Sequence, residues 1–136
     1  MEKLIIACAT DDGKMLINRH FGDANRYDLY KLTKETAEFM ETISNTVPEE
    51  QMHADPEKAR NIGSLLKPAG VQALVSGQFG QNITRVKKKF VPIVVRDLEI
   101  EAALSQLQQY YDEIVSQYEQ GEERKHIVLK KVLPQD

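Results

Sequence analysis

The sequence predicts an α/β domain built on a mixed β-sheet, and three observations carry the prediction. Leu4-Ile5-Ile6-Ala7-Cys8-Ala9 is a short, continuously apolar run closed by the turn residues Asp11-Asp12-Gly13, the pattern of a central strand buried on both faces. Two later runs, Val71-Gln72-Ala73-Leu74-Val75 and Val91-Pro92-Ile93-Val94-Val95, alternate with helical patterns, as parallel β-α-β units do. Between them and the first run lies a pair of partly alternating segments joined by a tight turn, which reads as an antiparallel hairpin.

Taken in order, strand one is the apolar run. Strand two is Tyr27-Asp28-Leu29-Tyr30-Lys31-Leu32, and strand three follows the turn Thr33-Lys34-Glu35 with Ala37, Phe39 and Ile43 evenly spaced around Glu41. The stretch between strands one and two is rich in Asn, Gly and Asp and too broken for a helical crossover, so strand two runs antiparallel to strand one. Asp55-Pro56-Glu57 is a helix start, with an Asx cap, proline at the first helical position and an acid in the first turn. That first helix buries Ala59, Ile62, Leu65 and Leu66 and stops at Pro68-Ala69-Gly70.

Strand four is the run from Val71, and Gly77-Gln78-Phe79-Gly80 opens a second helix over residues 81–89. Strand five carries Pro92, which lacks an N–H to donate and therefore predicts an edge position. A single last helix is predicted from Ile100, Leu104, Leu107, Tyr111, Ile114 and Tyr118, which recur at alternating spacings of four and three before Gly121. The order βββαβαβα with right-handed crossovers gives a mixed five-stranded sheet with helices on both faces, a ribonuclease-H-like three-layer fold. Residues 1–120 form this domain; residues 121–136 are a C-terminal tail in which residues 126–133 are a candidate extra strand.

The 136 residues suit one domain, and the 41% of hydrophobic residues fill one core. A net charge of −3 without a long block of like charge does not favour nucleic acid as a partner. The single cysteine excludes an internal disulfide and any CxxC pair. The first apolar run has no basic leader and no cleavage site after it, and no stretch approaches the ~18 residues needed to cross a bilayer. A cytoplasmic protein without membrane contact is expected.

Strand direction locates the candidate site. With strand one rising, the tight connections fall at the bottom of the sheet. The long or glycine-bearing ones, residues 11–26, 44–54 and 77–80, fall at the top. Long loops inside a compact domain are usually functional or disordered, and ligands of open α/β sheets sit at the carboxyl ends of parallel strands.

His20 and His53 both lie in these top loops. Imidazole is a common metal ligand; solvated loop histidines are the competing reading. Phe21 and Gly22 directly after His20 suggest an anchored ring and a close backbone approach, although Phe21 also serves simply to pin the loop to the core. His126 lies in the tail and reads as structural or solvated. Free amides at Gly77 to Gly80 suit an anion or a cluster, or else make only a tight strand-to-helix turn. That loop lacks the endings of a P-loop or a dinucleotide fingerprint. Cys8 reads as a buried small hydrophobe, with cluster ligation as the alternative. Asp11 and Asp12 have the composition of a two-metal nuclease site, but strand four ends in Ser76 where such a site needs a further acid, which favours a turn. The basic run Arg85-Val86-Lys87-Lys88-Lys89 is read as a solvated helix end.

Three segments together resemble a known family: Ile6-Ala7-Cys8-Ala9-Thr10-Asp11-Asp12-Gly13; His20-Phe21-Gly22-Asp23-Ala24 with Tyr27-Asp28-Leu29-Tyr30; and Gly70-Val71-Gln72-Ala73-Leu74-Val75-Ser76-Gly77-Gln78-Phe79-Gly80. The family is the dinitrogenase iron-molybdenum cofactor biosynthesis domain, and the resemblance covers residues 3–107. It implies a ribonuclease-H-like fold and a small protein that carries iron-sulfur or iron-molybdenum clusters, or their precursors, between assembly proteins. His20 matches the histidine of the family's HFG motif, and His53 falls where members often place a histidine before the first helix. This sequence departs from the pattern at Cys8, usually a small apolar residue, at Phe79, usually aliphatic, and in the tail past Gly121.

The expected function is non-enzymatic binding or carrying of a labile iron-sulfur or iron-molybdenum-sulfur cluster, by a monomer or weak homodimer whose partners are cluster assembly or acceptor proteins. The candidate metal ligands are His20 and His53. Thr10, Phe21, Gly22, Gly77, Phe79 and Gly80 are the candidate cluster-binding residues around them. One cysteine cannot hold a conventional four-thiolate cluster, which suits loose carriage of a preassembled one. The rivals are a metal-dependent phosphodiesterase or nuclease using Asp11 and Asp12, and a cargo-free interaction module acting through the last helix or the tail.

Overall fold

The computed structural model describes residues 1–45 and 62–130. Among them, six strands form one mixed sheet: β1 (Leu4–Thr10), β2 (Arg26–Leu32), β3 (Ala37–Ser44), β4 (Ala73–Ser76), β5 (Val91–Val95) and β6 (Ile127–Leu129), in the order β3-β2-β1-β4-β5-β6. β1 pairs antiparallel with β2 and parallel with β4, and is buried along its whole length. Its continuous apolar run follows from that position, since neither face meets water.

The helical segments are α1 (residues 62–66), α2 (Ile83–Val86), α3 (Ile100–Gln109) and α4 (Tyr111–Glu119). Alternation along β1 divides the core. Leu4, Ile6 and Cys8 face α3 and α4 with Ile100, Leu104, Leu107, Tyr111 and Ile114. Ile5, Ala7 and Ala9 face the other side with Ile62, Leu66, Val86 and Phe90. Each fully buried Leu, Ile or Phe contributes about 1.5–3 kcal/mol relative to exposure, so helices on both faces are what the sequence's apolar content stabilises.

Five expectations need correction. The sheet has six strands rather than five, because β6 in the tail pairs parallel with β5, Ile93 opposite Ile127. Pro92 does not mark an edge: β5 lies between β4 and β6. Arg96 donates its N–H to Leu129 O, so the even-numbered nitrogens of β5 point toward β6; Pro92 precedes the first paired residue, Ile93, and no ladder bond is lost.

The last helix is two. Tyr110, at φ −100° and ψ 15°, breaks it, its N–H shared between Gln106 O and Leu107 O, a local tightening of the kind that interrupts an α-helix. The apolar stripe crosses the break intact, which is why spacing alone did not show it. The second helix is short, and residues 87–89 leave it through tight turns such as Lys88 N–H to Arg85 O at 3.2 Å. Strand four begins at Ala73 rather than Val71, because Gln72 is engaged with β1, its N–H on Ile5 O and its side-chain Oε1 taking Ile5 N–H at 2.9 Å.

Candidate functional site

β1 and β4 run parallel and end side by side at Thr10 and Ser76. The loops that leave these ends, residues 11–25 and 77–82, close on one another. Gly77 donates its N–H to Ile17 O at 3.0 Å, and Ser76 Oγ donates to Arg19 O at 3.2 Å. Gln78 Nε2 donates to Asn18 O at 2.9 Å, Phe21 N–H donates to Gln78 O at 3.1 Å, and His20 forms a parallel bridge with Gln78. A side chain at position 77 would stand 2.8 Å from Ile17 O and 3.0 Å from Leu98 Cδ2. Glycine there is a condition of the two loops meeting.

Aromatic rings lock this junction. Phe21 stacks on Phe79 at 5.5 Å with planes 6° apart and on Tyr27 at 4.7 Å. The Tyr27 hydroxyl donates to Phe21 O at 3.1 Å and accepts from Asn45 Nδ2 at 3.2 Å. Buried Phe21 is thus the pin of the loop, and it also holds His20 beside Gly80. Buried Gly22 lies in the short 3-10 turn Phe21–Asp23, and Asp23 N–H closes onto His20 O at 2.8 Å. His20 itself is exposed, and its imidazole has no hydrogen bond among the described residues.

Thr10 is buried, and its hydroxyl shapes the turn, donating to Met15 O at 2.6 Å and accepting from Gly13 N–H at 2.9 Å. Asp12 accepts from Lys14 N–H at 2.8 Å and Met15 N–H at 3.0 Å. These bonds, Met15's foremost, hold its carboxyl below the usual carboxylate value. Asp11 pairs with Arg19 at 3.0 Å and caps Asn25 N–H at 2.9 Å. Both acids are therefore turn-builders, and no group of three or more His, Cys, Asp or Glu side chains suited to a metal ion occurs among the described residues.

Cys8 is fully buried; desolvation first, and the nearby Asp28 carboxylate second, push its thiol well above the ordinary value. His126 is exposed just before β6, at the far edge of the sheet from β3. His53 and the predicted helix start at Asp55 lie outside the described residues. The amides of the 77–80 loop do not act as expected in one respect: Gly77 N–H is already bonded, and the four-residue α2 is too short to supply a macrodipole of note.

Two residues that build this junction were not singled out by the sequence. Arg19, next to His20, links Asp11 to Asp23 O at 3.1 Å and so braces the loop. Gln78 supplies both backbone and side-chain bonds across the junction. Only their adjacency to the HFG and glycine motifs was a signal.

The sequence profile described as dinitrogenase iron-molybdenum cofactor matches residues 2–110. The chain belongs to that family. No curated protein matches it significantly. Among solved structures, the crystal structure of a candidate dinitrogenase from Methanocaldococcus jannaschii is similar, with a TM-score of 0.53 and 15% sequence identity, over 80% of this chain and 91% of that one. At that identity the likeness concerns the fold alone. The family match ends at the α3–α4 break, so α4 and β6 lie beyond it. No helix among the described residues is long and apolar enough to cross a membrane.

Proposed function

We propose that this protein is a non-enzymatic carrier that holds an iron-sulfur or iron-molybdenum-sulfur cluster, or a precursor of one, as cargo at the β1–β4 end of its sheet. The observation that carries the reading is the exposed His20 imidazole, fixed by its backbone to the β4 end yet without a hydrogen bond among the described residues. A neutral imidazole is a good ligand for iron. One such ligand without a surrounding cage suits a preassembled cluster better than a bare ion, which needs several protein donors. Cys8, buried and protonated, takes no part.

In this reading His20 ligates the metal and His53 supplies a second ligand or a hydrogen bond. Phe21 and Phe79 set the spacing of the two loops, Gly22 and Gly77 let the backbones approach, Gly80 adjoins the ligand, and Thr10 shapes the loop that carries it. The cargo-carrying domain spans residues 1–120, with 121–136 as an extension of its sheet. The protein works in the cytoplasm, as a monomer or weak dimer, between cluster assembly and acceptor proteins.

Anaerobic reconstitution with iron, sulfide and molybdate tests the proposal. A visible chromophore that stays with the protein and is weakened by His20→Ala is expected; no bound metal under any of these conditions sinks it.

A further inference from the structure

The glycine facing His20 has a role that its backbone does not explain. A Cβ built on Gly80 would stand 2.7 Å from His20 Nδ1, 3.1 Å from Cε1 and 3.2 Å from Cγ, and these are its nearest neighbours. The backbone there is ordinary: the left-handed glycines are Gly13, Gly70 and Gly121. Residue 80 is therefore free to be alanine on conformational grounds, and only the imidazole objects.

The three contact atoms also define the orientation of the ring. Cγ, Nδ1 and Cε1 are consecutive, so the Nδ1 side of the imidazole lies on the bare Cα of Gly80 and the Cδ2–Nε2 bond points away from it. Both partners are held. His20 is bridged to Gln78 and followed by the buried Phe21, whose N–H is bonded to Gln78 O. Gly80 follows Phe79, stacked on Phe21, and Gly80 O accepts from Ile83 N–H at 3.1 Å. A methyl group at 80 has no backbone to push aside cheaply, so the ring has to turn.

Building on the carrier reading above, we propose that Gly80 is a positioning residue for His20: its missing side chain seats the Nδ1 edge of the imidazole and presents Nε2 as the atom that ligates the metal of the incoming cluster. Groups that orient a metal-bound histidine matter almost as much as the ligand itself.

The test uses the full-length protein in two arms. In the first, NMR of the wild type without metal should show a nuclear Overhauser contact between His20 Hε1 and the Gly80 Hα protons; its absence overturns the proposal. In the second, wild type, Gly80→Ala and His20→Ala are reconstituted anaerobically with ferrous iron and sulfide, folding being checked by circular dichroism. Gly80→Ala should keep the fold yet retain cluster about 10–100-fold more weakly, the range for loss of a ligand-orienting group. Wild-type retention by Gly80→Ala, with loss in His20→Ala, overturns the positioning role and leaves the carrier reading standing. Wild-type retention by His20→Ala overturns the positioning role and the part of His20 as ligand, since no ligand then needs positioning, whereas the carrier reading itself falls only if the wild type binds no metal.

Discussion

Phe79 lies on Phe21 with ring centroids 5.5 Å apart and planes within 6° of parallel, joining the loop after β4 to the loop after β1. The stack continues to Tyr27 in β2, so the loop after β1, the start of β2 and the sequence-distant loop after β4 share one aromatic column. Such a pair contributes about 0.5–1.5 kcal/mol beyond its buried area. Phe79→Leu should therefore lower unfolding stability by about 1 kcal/mol, read from urea denaturation, while leaving the fold unchanged. A loss near zero would show that the backbone bonds alone hold the junction.

The turn after β1 should be pH-sensitive through Asp12. Hydrogen bonds from Met15 N–H and Lys14 N–H lower its carboxyl below the ordinary 3.8 in the folded state. A depressed folded value means that the ionised carboxylate stabilises the fold above the ordinary value, and that this contribution fades as the pH falls through 3.8 and below. The stability difference between wild type and Asp12→Ala should be constant near neutrality and shrink in acid. A difference that persists undiminished at low pH would contradict the assignment.

Arg124 is 7% exposed and supplies the carbonyls of two elements, Tyr118 O at 2.8 Å and Lys88 O at 2.8 Å, with its guanidinium 4.5 Å from the Tyr118 ring. It thereby ties the end of α4 to the turn after α2. Arg124→Ala removes the guanidinium's bonds to these carbonyls and should cost about 1 kcal/mol, seen as a lowered Tm. Arg124→Lys should not restore the loss, because an ammonium cannot reach both acceptors as the planar fork does.

Cys8 should be silent. Fully buried in β1 with its thiol held protonated, it should resist alkylation in the native protein and react on unfolding. Cys8→Ala should bind cluster as the wild type does, at a stability cost of about 1 kcal/mol. Loss of cluster with an intact fold would reinstate the thiol as a ligand.

Much of the fold was legible because burial imposes short-range patterns. The apolar run of β1, the hairpin of β2 and β3, and the stripe from Ile100 to Ile114 each follow from which face meets water. The misreadings arose where pairing partners decided the outcome. Pro92 is tolerated inside the sheet because β6 begins one residue beyond it, and the break at Tyr110 leaves the stripe undisturbed. At the site, the HFG motif singled out His20, but nothing local to Arg19 or Gln78 revealed the bonds they make across the junction.

The sequence by itself determined the α/β class, the antiparallel hairpin, the end of the sheet at which the loops gather and the family, since these depend on periodicity and on motifs read along the chain. Only the tertiary structure decided that Asp11, Asp12 and Thr10 serve turns, that Cys8 is sealed in, and that Gly80 lies against the Nδ1 edge of His20. Those outcomes depend on distances between residues up to sixty positions apart, such as Gln78 and Asn18, and a linear pattern carries no such distance.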